Sequence, residues 1–138
     1  MPIDACLVDT NILLSIPKLS DPNHLTVDNA IAKLATHSTT HYYTRRNIAG
    51  FSNSTTRPLS RNGFGLTVQD ADREIALIEF GMELLPDGAV VYREWRRMVV
   101  QYGVSGVQVH GGRLAAAMYT HGISHILTLN GPDFSRFE

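Results

Sequence analysis

The chain has a single cysteine, Cys6, among 138 residues, which excludes an internal disulfide and any cysteine-cluster zinc site. Cys6 sits in an apolar run, where a small buried thiol without a chemical role is expected. No apolar run approaches the roughly 18 residues that a membrane span needs. The amino terminus, Met1 to Cys6, lacks the basic region, long apolar stretch and cleavage site of a secretory leader. A cytoplasmic protein with no membrane partner is expected. Charge is also scarce, at 18% of residues, and nearly balanced between 12 basic and 13 acidic side chains for a net charge of -1. That argues against a protein that coats nucleic acid by electrostatics alone. Acid is absent altogether from Leu34 to Gln69, which holds Arg45, Arg46, Arg57 and Arg61, whereas Asp70 to Asp87 carries six acids against Arg73. Ten of the 12 basic residues are arginine, whose forked guanidinium suits phosphate or carboxylate. The segregation fits an RNA backbone or an acidic partner, and equally a solvated helix face paired with the acidic segment.

What is present is a chain of 43% hydrophobic residues, enough for a single domain over residues 1–138 with one sizeable core. Ala5 to Val8 is a continuous apolar run, as in a strand buried on both faces of a parallel sheet. It ends at Asp9-Thr10-Asn11, where the pattern changes into the helical Ile12-Leu13-Leu14. The spacing predicts a helix over 22–36, with Ser20 or Asp21 as cap and Leu25, Val27, Ala30, Ile31, Leu34 and Ala35 on its stripe. A second strand is expected at 40–44, then a weak helix over 45–56 interrupted by Gly50. A loop follows to Thr67. Thr67 and Asp70 resemble a capping box that opens a helix to about Leu85 with Ala71, Ile75, Ile78 and Met82 inward. Further helices are expected at 90–102, with Trp95 and Tyr102 as core, and at 107–121. A final strand should span Ile123 to Leu129, with Asn130 to Asp133 at its polar end. The order predicts an α/β fold, a three-layer α/β/α sandwich on a mainly parallel sheet.

Two strand ends thus deliver carboxylates, Asp9 and Asp133, to one edge of a parallel sheet, which is the ligand edge of such folds. A hard divalent ion takes one or two carboxylates, waters and phosphate oxygens, so these aspartates with Asn11 or Asn130 form a minimal candidate set for Mg²⁺ or Mn²⁺. Aspartate at a strand end is also an ordinary cap.

Several of these segments carry a resemblance. Asp9-Thr10-Asn11-Ile12-Leu13-Leu14, the stretch from Asn47 through Phe51 and Asn53 to Pro58, Tyr102 to Gly106, and His110 through Arg113 to Asp133-Phe134 together resemble a PIN domain. More narrowly, they are similar to the VapC-type toxins of prokaryotic toxin–antitoxin pairs. The resemblance implies Mg²⁺- or Mn²⁺-dependent endoribonuclease activity, RNA as substrate, a cognate antitoxin and a homodimer. It also implies a site of four acidic positions. Asp9 matches the first, and Asp133 is the one carboxylate available for the fourth. The second and third fall on Gly50 and Gly111.

The expectation is therefore a toxin-type endoribonuclease with Asp9 and Asp133 as catalytic and metal-binding groups, Asn11 and Asn130 in support, and hydrolysis impaired by the two glycines. Arg113, Arg45 and Arg46 are candidate RNA contacts, Arg113 alternatively pairing with Asp9 or Asp133. His110 is a candidate ligand or base, or simply part of the pattern. The alternative is a catalytically inactive module of the same fold that binds an antitoxin or RNA.

Overall fold

The structure is a computed structural model that describes residues 3–17 and 22–137. Strand β1 (Ala5–Val8) leads through Asp9 into the short helix α1 (Thr10–Ser15), followed by α2 (His24–Thr36). Strand β2 (Thr40–Tyr43) precedes α3 (Arg45–Thr56) and α4 (Val68–Gly81), and β3 (Glu83–Leu84) precedes α5 (Ala89–Gln101). Helix α6 (Val109–His121), strand β4 (Ile126–Leu127) and a 3-10 helix (Gly131–Phe137) complete the described chain. The strands form one all-parallel sheet in the order β3-β2-β1-β4.

Strand alternation decides the layers. Side chains two apart on a strand share a face, so Cys6 and Val8 point one way and Leu7 the other, all three buried. Cys6 and Val8 join a core with Ile12, Leu13, Val27 and Phe51, which places α1 to α4 on that face. Leu7 packs instead with Val91, Met98 and the buried Leu114 to Ala117 run, which places α5, α6 and the terminal 3-10 helix on the other. The result is the expected three-layer α/β/α sandwich. Burial pushes the Cys6 thiol up to about 11, which keeps it protonated and unreactive near neutral pH.

Strand β3 departs from the sequence expectation of one helix running to Leu85. Helix α4 ends at Gly81 because Glu83 and Leu84 pair with Tyr42 and Tyr43, and the Leu85 amide donates to the Tyr43 carbonyl at 2.8 Å. Two residues are too few for a strand period, and Ile75, Ile78 and Met82 continue a helical one, so tertiary pairing overrides the local pattern. The last strand is also shorter than Ile123–Leu129. The Ile123 amide is spent on the Met118 carbonyl, closing α6 beyond Gly122 at φ +69°. That positive φ needs no Cβ strain at a glycine. On α2, Leu25 and Ala35 face solvent and Val27 is the buried anchor. Asn23 holds the position before the helix's first residue without a side-chain cap hydrogen bond; Ser20 and Asp21 lie outside the described residues.

His41 is the Cα partner of Cys6 and so shares its face of the sheet. Its Nε2 is buried without a hydrogen-bond partner among the described residues. Burial lowers its pKa below the ordinary 6.5, and a backbone hydrogen bond at Thr39 partly opposes the shift. The unfolded chain therefore binds a proton more readily, so this contribution to stability is whole above about pH 6.5 and is lost as pH falls below it. In urea melts from pH 8 to 5, the wild-type midpoint should fall more steeply below pH 6.5 than that of His41→Phe. Parallel pH profiles for the two proteins would rule out the contribution.

Candidate functional site

Parallel strands bring the C-terminal ends of β1 and β4 to the same edge of the sheet, and the segments just beyond those ends build the site. Asp9 caps α1: its Oδ1 accepts the Thr10 amide at 2.7 Å and its Oδ2 accepts the Thr128 hydroxyl at 2.8 Å. The second bond joins residues 119 apart in sequence. Thr128 Oγ1 also accepts the Asn130 amide at 3.0 Å and lies 3.5 Å from Asn11 Nδ2, while Asn11 Oδ1 accepts the Leu129 amide at 3.3 Å. Asn11 and Asn130 thus shape the turn after β4 and do not line the neighbouring cleft. The Asn130 carbonyl accepts the Asp133 amide at 3.0 Å, which starts the segment that carries Asp133.

Helix α3 is fastened to the same edge by Asn47, which is 1% exposed. Asn47 Oδ1 accepts both the amide and the hydroxyl of Thr44 at 2.9 Å, and Thr44 Oγ1 accepts the Asn47 amide at 3.2 Å. This is a capping box at the helix start. The remaining donor, Nδ2, reaches Thr10 Oγ1 at 3.1 Å. On the far wall, the Trp95 indole donates to the Val109 carbonyl at 2.8 Å and fixes the first turn of α6, where His110 and Gly111 sit.

These elements enclose a cleft of about 330 Å³ whose walls include Asp9, Arg46, Gly50, His110, Gly111 and Asp133. The two aspartates and the two glycines singled out in the sequence are therefore brought together. Arg113 is not. Its Nη2 lies 2.7 Å from Asp87 Oδ2, beyond the cleft lining, and Asp87 is only 10% exposed. The alternative pairing of Arg113 with Asp9 or Asp133 does not form, because α6 turns that side chain toward the loop after β3. Arg45 is exposed at the start of α3 and also lies off the cleft, whereas Arg46 lines it. Thr10, Thr128 and Asn47 hold the site together and had no role assigned from sequence. Their partners lie 37 or more residues away in the decisive bonds, so no local spacing announces them.

Neither glycine is demanded by geometry. Both lie in helices without a positive φ. A Cβ built at Gly50 would meet Thr10 Cγ2 at 3.4 Å and Arg46 Nη1 at 3.8 Å, and one at Gly111 would meet the Phe134 ring at 3.7 Å. These are ordinary contact distances.

The donor set bears on a metal. Mg²⁺ takes six oxygens in near-octahedral geometry, and a two-ion centre needs carboxylates enough to balance two dications. Among the described residues no group of three or more histidine, cysteine, aspartate or glutamate side chains could hold a metal ion. Each Asp9 oxygen already accepts one hydrogen bond. The residues present do not fit the four-acid metal site that the sequence resemblance implies.

No family model and no curated protein matches the sequence. Solved structures do match the fold. VapC20 of Mycobacterium tuberculosis, a Sarcin-Ricin loop cleaving toxin, superposes with a TM-score of 0.71 at 12% identity, over 93% of this chain and 92% of that one. VapBC2 from Rickettsia felis, bound to a DNA fragment from their promoter, gives 0.69 at 14% identity over 96% and 92%. The chain has a VapC-type PIN fold.

Because helix interiors favour alanine over glycine by about 0.8–1 kcal/mol, Gly50→Ala should raise stability by up to roughly that amount, and Gly111→Ala, in the first turn of α6, by less. Urea denaturation at pH 7.5 reads the change. A loss of stability in either variant would show that the glycine serves packing.

Proposed function

We propose that this protein is a toxin-type PIN ribonuclease in descent, with RNA as its substrate class, whose hydrolytic step is strongly impaired. The observation that carries the reading is the convergence of Asp9, Asp133, Gly50 and Gly111 on one cleft. Asp9 and Asp133 are the residual acidic groups, and the hydrogen bonds to Asp9 from Thr10 and Thr128 hold its carboxylate in one orientation. Asn11 and Asn130 act at one remove, through the turn that positions Asp133. Where relatives would present four acids, this cleft presents two. A unit charge pair at about 4 Å is worth about 4 kcal/mol at an effective dielectric near 20. Each 1.4 kcal/mol is about a factor of ten in rate.

The fold shared with VapC-type structures supports the wider reading of a chain that pairs with a protein antitoxin and acts as a homodimer in the cytoplasm. No helix among the described residues is long and apolar enough to cross a membrane. A second reading, a module that holds RNA or antitoxin without cutting, is favoured by one feature: a guanidinium stands beside the vacant position 50.

The decisive comparison is an RNA cleavage assay in Mn²⁺ with calorimetric Mn²⁺ titration, on the wild type and on the Gly50→Glu, Gly111→Asp double variant. The variant should bind Mn²⁺ more tightly and cleave on the order of a thousandfold faster. Equal, rapid cleavage by both proteins would refute impairment.

A further inference from the structure

Gly50 and Arg46 are one helical turn apart on α3, the spacing at which side chains meet. A glutamate at position 50 would begin from a Cβ 3.8 Å from Arg46 Nη1, so it would carry its carboxylate to the guanidinium. With glycine there, Arg46 has no hydrogen bond or ion pair among the described residues, and its head group borders the open cleft. Five of the nine other arginines are engaged: Arg57 with Ser54, Arg73 with Asp70, Arg97 with Glu94, Arg113 with Asp87 and Arg136 with Gln108. The loss of an acid and the release of a cation are thus the same change.

We infer that the cleft binds the phosphodiester of single-stranded RNA directly, without a divalent ion, with Arg46 as the group that contacts the phosphate. This rests on RNA being the substrate class. A planar fork of N–H donors matches two phosphate oxygens and supplies charge where a bridging dication would otherwise be needed. Asn53 and Ser54, further along α3, and Gln108 on the opposite wall add neutral polar groups to the lining. Asp9 and Asp133 oppose an anion, but Asp9 faces the Thr10 amide and the Thr128 hydroxyl. The glycines also remove the two further negative charges that would repel it. Gly111 leaves open the space beside the Phe134 ring, an aromatic face on which a base can stack. Arg45, exposed and off the cleft, is not the contact.

The test is fluorescence anisotropy with a labelled single-stranded RNA oligomer, in EDTA and in Mn²⁺, on wild type, Arg46→Ala, Arg46→Lys, Gly50→Glu and the surface control Arg73→Ala. Far-UV circular dichroism and melting curves verify that each variant is folded. The wild type should bind equally well in EDTA and in Mn²⁺. Loss of a charge-assisted contact should weaken binding in EDTA by about tenfold or more in Arg46→Ala. The slope of log K against log salt should shrink by about 0.7, one phosphate's worth. Arg46→Lys keeps the charge without the fork and should fall between, while Arg73→Ala should match the wild type. Gly50→Glu is the sharpest arm: it should weaken metal-free binding at least as much as Arg46→Ala, by occupying Arg46 and adding a negative charge. Unchanged binding in Arg46→Ala and Gly50→Glu would overturn the assignment and leave RNA as the substrate class. Binding by the wild type only in Mn²⁺ would do the same. No RNA binding by any protein under either condition would overturn both.

Discussion

The carboxylate of Asp9 closes the sheet edge. One oxygen starts α1 and the other ties the end of β1 to the turn after β4. Hydrogen bonds to an ionised acceptor are roughly twice as strong as neutral ones, and these two join segments from opposite ends of the chain. Asn47 repeats the device from α3, satisfying its own helix start with one atom and reaching Thr10 with the other. A cap at each of two helices is thereby also a cross-link, so the groups that fold the chain and the groups that shape the cleft are the same.

This coupling explains how the cleft is held with glycine at positions 50 and 111. The architecture needs Asp9, Thr10, Asn47 and Thr128, none of which is a glycine position. Gly50 and Gly111 touch the scaffold only through van der Waals distance to Thr10, Arg46 and Phe134. The hydrophobic layers on the two faces of the sheet are anchored by Phe51 and Ile12 on one and by Val91 and Ala116 on the other, none of which lines the cleft. The hydrogen bonds that shape the cleft therefore do not run through position 50 or 111.

Much of this was legible in sequence. The apolar run at 5–8, the helix over 45–56 and the alanine-rich helix before Gly122 have local signals that tertiary structure reinforces. The convergence of Asp9 with Asp133 followed from parallel topology alone, and the order of the motifs placed Gly50 and Gly111 beside them. What escaped was set by distant partners. Strand β3 exists because Tyr42 and Tyr43 offer it a free edge, and β4 is trimmed because β1 offers only two paired positions. Arg113 was misplaced for the same reason: its sequence neighbour Gly111 is in the cleft, yet two residues on a helix turn it by about 200° at 3.6 residues per turn, toward Asp87.

The electrostatic character of the cleft follows from these placements. Four carboxylates around a small space would repel one another and any phosphate unless dications intervened. This cleft has two carboxylates, one of them held by an amide and a hydroxyl, and the guanidinium of Arg46 on its wall. A guanidinium is weakly hydrated and always charged, so it needs neither uptake from solution nor deprotonation to act. It also cannot lower the pKa of a water as a dication does. Under the proposed reading, the glycine that leaves a guanidinium free at the cleft also leaves fewer acids to hold an activating ion, so the two roles that one ion joins in a metal nuclease fall to different groups.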